Sequence, residues 1–128
     1  MPSIKAILID VEAKEIKEII LESEEGKELD PIYKALKCNI ITSAEQHFFY
    51  NVGHTLYVDD EGLLIENKIG AFQVQEGQVL SGNGIIVGVD DETGKDIDHF
   101  MKLDVLKAFI HFREIEDLPE PTFTFIAG

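Results

Sequence analysis

Four histidines and one cysteine are the side chains in the sequence best suited to acid–base, nucleophilic or metal chemistry. No two histidines stand four residues apart, so no helix can present a pair of them to one metal ion. No histidine stands beside the cysteine to act as its base, which a catalytic thiolate requires. We therefore predict no catalytic residue, no metal and no cofactor, and a protein that is not an enzyme. The histidines are predicted to be ordinary surface or boundary residues, and the cysteine unreactive: His47, His54, His99, His111 and Cys38.

A glycine-rich stretch, residues 81–88, has glycine spacing close to that of a nucleotide-binding loop. Such a loop follows a strand and opens a helix, because the helix N-terminus meets the phosphates. Here the apolar residues 85–87 favour a strand, and no Lys-Ser/Thr pair completes a P-loop. We predict a tight turn before a buried strand. The alternative is a nucleotide-like ligand held by backbone amides and aromatic stacking, at Phe48, Phe49, Tyr50, Gly82, Asn83 and Gly84.

Two acidic stretches that end in glycine, residues 59–62 and 90–94, could hold a cation. A calcium loop needs oxygen ligands at alternate positions and a late bidentate acid. Neither stretch has that spacing. Both are therefore predicted to be solvated hairpin tips, in which Asp and Gly are favoured turn residues.

The charge of the chain excludes two classes of partner. With 25 acidic and 11 basic residues the formal net charge is −14. Such a chain repels the phosphate backbone of nucleic acids and the anionic surface of membranes. The acids are concentrated: residues 10–30 hold nine acids and three lysines, and residues 90–104 hold six acids and two lysines.

This concentration predicts an acidic face that meets a basic partner protein, because charge complementarity accelerates association. The leading hypothesis is a non-enzymatic interaction protein, for example an inhibitor of a host or defence protein, or a DNA mimic that offers carboxylates in place of phosphates. A structural domain with a merely solvated acidic surface is the other reading. The predicted contacts are Glu12, Glu15, Glu18, Glu22, Asp90, Asp91, Asp96 and Asp98.

The first third of the chain predicts a hairpin and a helix. Residues 4–9 are a short run rich in isoleucine, typical of a strand. Residues 12–22 fit both a helical face and an alternating strand, and we favour a strand paired with the first across a turn at residues 11–14. Asp30 and Pro31 are good N-cap and first-turn residues, so residues 31–37 are predicted to form a two-turn helix.

The remainder alternates between strands and turns. Strands are predicted at residues 40–42, 55–58, 63–65, 71–74 and 84–89, and residues 46–50 are predicted to continue the strand at 40–42. Residues 103–115 permit a helix or a strand, and we favour a helix that leads into a strand at 112–115. The apolar segment containing Phe123, Phe125 and Ile126 is predicted to be an edge strand or the contact of a homodimer.

Strands interrupted by two isolated helices predict an α+β fold with a small, mostly antiparallel sheet. A length of 128 residues predicts a single domain over residues 1–128. The first apolar run is too short for a signal peptide or a membrane span, and the single cysteine suits a reducing compartment. We therefore expect the protein in the cytoplasm.

Four segments together resemble a family of small proteins carried by phages, plasmids and other mobile elements. They are IKAILID at 4–10, IYKAL at 32–36, YVDDEGL at 57–63 and LSGNGIIVG at 80–88. The resemblance implies a first hairpin, a short helix, an acidic turn and then a strand that begins at a Gly-Asn pair. It implies the context of an accessory protein in a host cytoplasm, and it implies no catalytic residues.

Overall fold

Strands make up most of the regular structure. The computed structural model describes residues 3–23, 30–36, 41–44, 49, 53–59, 70–75 and 77–118. In these residues nine strands, two α-helices and one 3-10 helix (Ile115–Asp117) follow one another. Their bounds are β1 Ser3–Asp10, β2 Glu15–Glu22, α1 Asp30–Leu36, β3 Ile41–Ala44, β4 His54–Asp59, β5 Ala71–Val74, β6 Val79–Ser81, β7 Gly84–Val89, β8 Asp96–Ile97, α2 Leu103–Phe109 and β9 Ile110–Arg113.

The larger sheet is built around β7, which is buried from Gly84 to Gly88. Its strand order is β2-β1-β7-β4-β3, and β8 pairs with β7 beyond the part that β1 covers. β1 and β2 form an antiparallel hairpin, in register from Ser3 opposite Glu22 to Asp10 opposite Glu15. This confirms the strand favoured for residues 12–22 and the turn at residues 11–14.

Side chains alternate along these strands, so the larger sheet has two apolar faces. One face packs against α1 and buries Ala6, Leu21, Ile32, Leu36, Ile85 and Val87. The opposite face contributes Ile7, Ile9, Leu56 and Ile86 to a second core, which also contains Phe49, Phe72 and Leu106. Because β1 and β7 are apolar at successive positions, they can be covered on both sides.

The smaller sheet lies on that second core. Its order is β6-β5-β9, and both pairings are antiparallel. Phe72 and Val74 of β5 and Ile110 of β9 are buried in the core, and α2 adds Leu106. The molecule is therefore layered as helix, larger sheet, and smaller sheet with α2, and the predicted α+β class with mostly antiparallel strands is confirmed.

Several predicted elements are confirmed, and three predictions need correction. The strands at 71–74 and 84–89 have the predicted bounds. The helix after residue 103 leads into a strand, but that strand spans Ile110–Arg113 rather than the predicted 112–115, because a 3-10 helix begins at Ile115. Phe49, predicted to continue a strand, is helical and fully buried. His54, predicted to lie at the surface or boundary, is 1 % exposed because β4 directs it into the interior.

Some predictions fall on residues outside the described ones. They are His47, Cys38, the aromatic residues Phe48 and Tyr50, residues 60–62 of the first acidic tip, the strand at 63–65 and the apolar segment from Phe123 to Ile126. The homodimer predicted through that segment remains a prediction. In the part of the chain that is described, neither helix has the length and apolarity that crossing a membrane requires.

Candidate functional site

A cleft of about 520 Å³ lies on the α1 side of the larger sheet, at its β8 end. We call it the Tyr57 cleft. Its walls combine apolar side chains from the first hairpin with polar groups from β4 and from the turn between β7 and β8. The described residues that line it are Ile4, Leu21, Ser23, Tyr57, Gly94, Lys95 and Asp96.

Strand alternation positions the tyrosine of this cleft. On β4 the side chains of Leu56 and Val58 enter the core between the sheets, so Tyr57 points to the α1 side. β4 is held on both flanks, because Tyr57 lies opposite Ile85 of β7 and opposite Ser43 of β3. Tyr57 therefore stands on a strand that is paired on both sides, with its hydroxyl at the cleft.

A tight turn brings Asp96 back to the same place. The Asp90 carboxylate accepts a hydrogen bond from the Glu92 N–H at 2.9 Å, and the Gly94 N–H donates to the Asp90 carbonyl at 2.7 Å. Gly94 has φ +71°, a left-handed conformation that glycine adopts without strain. The predicted hairpin tip at residues 90–94 is thereby confirmed, and β8 returns with Asp96 opposite Val89.

A close backbone approach holds β8 against the sheet. A Cβ on Gly88 would lie 2.3 Å from the carbonyl oxygen of Asp98, so only glycine allows β7 and the segment after β8 to approach this closely. Beyond β8, the Asp98 carboxylate accepts a hydrogen bond from the Lys5 N–H at 2.8 Å. The His99 N–H in turn donates to the Lys5 carbonyl at 2.9 Å. These contacts fix the segment that carries Asp96.

Tyr57 and Asp96 form a polar pair in partly desolvated surroundings. The tyrosine hydroxyl lies 3.0 Å from each carboxylate oxygen and donates to them. Burial, and after it the negative charge of Asp96, raises the pKa of the Tyr57 phenol above its ordinary value. Burial also raises the pKa of the Asp96 carboxyl, although the hydrogen bond from Tyr57 opposes that rise.

The Asp96 carboxylate has no cationic partner among the described residues. No side-chain nitrogen of Lys, Arg or His in them lies within 4.0 Å of it. Lys95 is adjacent in sequence and lines the cleft, but it is exposed and forms no ion pair with Asp96. A half-buried carboxylate with apolar side chains beside it is suited to a cationic group that carries a hydrocarbon stem.

The structure gives several of the predicted acidic contacts internal roles. Asp90 closes its turn, Asp98 binds the Lys5 N–H, and Glu18 binds His99 through Oε2 and Nε2 at 2.8 Å. Glu12, Glu15, Glu22 and Asp91 are exposed. Glu15 and Glu22 stand at opposite ends of β2, about 23 Å apart at ~3.3 Å per residue. Glu18 and Asp98 approach β1 from its two sides, but the eight acids do not converge on one patch.

The alternative ligand-binding residues are also used internally. The Asn83 side-chain oxygen accepts a hydrogen bond from the Val11 N–H at 3.0 Å, which ties the first hairpin to the turn before β7. Gly82 donates its N–H to the Gly70 carbonyl at 2.9 Å. A Cβ on Gly84 would lie 2.9 Å from both Leu56 and Phe72, so this glycine packs against the core. A nucleotide-like ligand at this turn remains a prediction.

Two histidines at the other face of the larger sheet have internal contacts that the sequence did not predict. His54 Nε2 accepts a hydrogen bond from the Phe100 N–H at 3.1 Å, and the two rings are 4.1 Å apart. The His99 side chain is 6 % exposed, and its Nδ1 has no hydrogen-bond partner among the described residues. No three His, Cys, Asp or Glu side chains in the described ranges are grouped to hold a metal ion. The adjacent His99 and Phe100 were the one feature of the sequence that could have indicated these contacts.

Comparison with known proteins gives a family without an assigned activity. No curated protein and no solved structure shows significant similarity to the chain. The family model described as a domain of unknown function, DUF3846, matches residues 4–110. That range contains all but the first residue of β1, the described lining of the Tyr57 cleft and α2. The match extends over most of the 128 residues, and the chain therefore belongs to the DUF3846 family.

Proposed function

We propose that this protein is a non-enzymatic interaction protein that binds a basic partner protein, and that a lysine or arginine side chain of the partner enters the Tyr57 cleft. The observation that carries the proposal is the half-buried Asp96 carboxylate, which is held by the Tyr57 hydroxyl at 3.0 Å and has no cation beside it in the described residues.

Desolvation supplies the physical reason. Burial disfavours the charged form of Asp96, as the direction of its pKa shows. A partner ammonium or guanidinium next to the carboxylate would offset that cost, and its aliphatic stem would cover Ile4 and Leu21. Arginine fits with particular advantage, because its planar group can bind both carboxylate oxygens and stack on the Tyr57 ring.

The net charge of −14 supports the same proposal at longer range. A strongly negative surface attracts a basic protein before contact and raises the association rate. In this proposal the exposed acids, including Glu12, Glu22 and Asp91, steer the partner jointly, so that the loss of one of them has little effect. Asp96, in contrast, binds one side chain of the partner. The proposal includes the mobile-element context of the resemblance: an accessory protein that acts in a host cytoplasm, for example by inhibiting a basic host or defence protein.

The experiment is a capture assay at low salt with wild type and two variants that each remove one negative charge. Asp96→Asn changes the cleft, and Asp91→Asn changes an exposed tip residue of the same turn. We expect wild type and Asp91→Asn to retain the same basic proteins, identified by mass spectrometry and released at high salt. Asp96→Asn should lose most of that capture.

A direct titration removes the dependence on an unidentified partner. Isotope-labelled protein is titrated with an arginine-containing dipeptide amide and with its citrulline analogue, which lacks the charge. Amide shifts centred on Gly94, Lys95 and Asp96 with the arginine peptide alone would support the proposal. Equal shifts with citrulline, or unchanged capture by Asp96→Asn, would refute it.

A further inference from the structure

A second cleft lies on the other side of the larger sheet, between β2 and β9. Both strands stand at the edge of their sheets. The cleft has a volume of about 460 Å³, and we call it the lysine groove. The described residues that line it are Lys14, Glu15, Ile16, Lys17, Lys107, Ile110 and Phe112.

The charge of this lining is opposite to that of the molecule. Three lysines and one glutamate give 3 − 1 = +2, in a chain with a net charge of −14 and 11 basic residues in all. Only some of this charge is available to a ligand. Lys17 lies 3.7 Å from the Asp10 carboxylate and is directed to the far side of β2 from Ile16.

Lys14 and Lys107 are the available cations. Lys107 has no ion pair among the described residues. Lys14 Nζ lies 3.8 Å from Glu114 Oε1, but the two side chains are 63 % and 73 % exposed. An ion pair so exposed contributes little free energy, so Lys14 can exchange Glu114 for another anion.

Apolar side chains form the other part of the lining. Ile16 and Ile110 are 7 % and 4 % exposed and belong to the core between the sheets. Phe112 is half-buried and packs against that core, so its ring is fixed in place. The groove therefore places two ammonium groups beside a rigid apolar surface that includes one aromatic ring.

We propose that the lysine groove binds a small organic anion, in which a carboxylate, sulfonate or phosphate is attached to a flat apolar body. The anionic group lies between Lys14 and Lys107, and the apolar body lies on Phe112 and Ile110. Charge complementarity selects the occupant, because the net charge of the molecule repels anions, whereas the described lining of this cleft holds more lysines than acids. This site is independent of the Tyr57 cleft, which is lined by other residues.

The probe is 8-anilinonaphthalene-1-sulfonate, whose fluorescence rises on apolar surfaces and whose sulfonate supplies the charge. The variants are Lys14→Gln with Lys107→Gln, and the matched control is Lys34→Gln, an exposed lysine of α1 on the opposite side of the larger sheet. We expect saturable binding to wild type and to the control, and a loss of about tenfold in affinity for the double variant. Binding to wild type should also weaken with added salt.

Two further measurements test separately the charge contribution of the lysines and the apolar contact of the ligand body. The uncharged dye N-phenyl-1-naphthylamine should bind wild type and the double variant equally, since the lysines act only on charge. A nucleoside monophosphate should displace the sulfonate dye at lower concentration than inorganic phosphate does, because it carries a flat body. Unchanged dye affinity in the double variant, or equal displacement by inorganic phosphate, overturns the proposal. Asp96→Asn should leave the dye affinity unchanged, so this test is separate from that of the proposed function.

Discussion

Tyr57 and Asp96 show that a count of charged residues reveals neither which of them is buried nor which side chain lies beside it. The sequence identified Asp96 as one of eight acids, because segmental charge counts every carboxylate alike. It did not identify Tyr57, since nothing in the sequence brings residue 57 to residue 96; a hairpin and two strand pairings do so. Asp96 is distinguished by partial burial without a cation beside it among the described residues, and this property depends on that juxtaposition.

The Tyr57 phenol is expected to ionise at a higher pH than a tyrosine that is fully exposed to water. Burial and the neighbouring Asp96 charge raise its pKa above the ordinary value of about 10. An ultraviolet titration of the three tyrosines should therefore contain one late step, which Tyr57→Phe abolishes. Asp96→Asn should move that step toward, but not to, the ordinary value, because burial remains. If Tyr57→Phe instead removed absorbance near the ordinary tyrosine pKa, the geometry of the pair would be contradicted.

Asp96 is expected to reduce stability at neutral pH. Its pKa is raised in the folded state, so the folded protein binds this proton more tightly than the unfolded chain. The resulting stabilisation is complete below the unfolded value of about 3.9 and is lost as pH rises through the folded pKa. Asp96→Asn should therefore stabilise the protein at pH 7, by less than about 1 kcal/mol because solvent screens the site.

Denaturant unfolding at several pH values tests this expectation, with Asp91→Asn as the control that removes the same charge from an exposed position. The gain in the free energy of unfolding of Asp96→Asn over that control should disappear in acid, where Asp96 is protonated in both the folded and the unfolded state. Greater stability of wild type at pH 7 would show that the carboxylate is well compensated. That result would also remove the physical reason for the proposed cation site.

Among the secondary-structure elements, the apolar strands of four or more residues were predictable, and the two shortest strands were not. β1 and β7 are runs of β-branched residues that end at turn residues, which is a strong strand signal. β6 and β8 have three and two residues, too few for any periodicity to appear. β8 exists because β7 pairs with it and because Gly88 admits the backbone of Asp98. The candidate cleft depends on this element, so it could not be predicted from the sequence.

Gly88→Ala tests the contribution of that close approach. The added Cβ would lie 2.3 Å from a backbone oxygen, which cannot rotate away as a side chain could. We expect a loss of about 1–3 kcal/mol in the free energy of unfolding, the usual cost of overpacking. Gly94→Asn is the control, since space is open there and asparagine tolerates φ +71°. It should change the free energy of unfolding by less than about 0.5 kcal/mol. An equally small effect of Gly88→Ala would mean that the segment after β8 can move away from residue 88 without loss of stability.

Across the molecule, the acids act in two ways that the net charge does not show: together they create a broad negative field, and one of them, Asp96, lies in a cleft. The fold places the acids along β2, at the tip after β7 and around β8, so the negative field is broad and not confined to one patch. Two clefts on opposite sides of the larger sheet lie within that field. One contains the Asp96 carboxylate, which has no cation beside it in the described part of the chain, and the other is lined by lysines. In the proposed function, the exposed acids attract the partner at long range, and Asp96 selects one of its side chains. Because different residues are involved, separate variants can test the two effects.

The broad field is expected to make stability depend on salt. Like charges repel more strongly when the chain is compact, so a net charge of −14 on 14.4 kDa opposes folding. Raising sodium chloride from about 10 mM to about 0.5 M shortens the screening length several-fold and should raise the thermal midpoint. The triple variant Glu12→Gln, Glu22→Gln and Asp91→Asn changes the net charge to −14 + 3 = −11 without touching either cleft. It should be more stable than wild type at low salt and should gain less from added salt. A thermal midpoint that does not respond to salt in wild type would show that the acids are compensated locally, and the steering role proposed for them would then lose its physical basis.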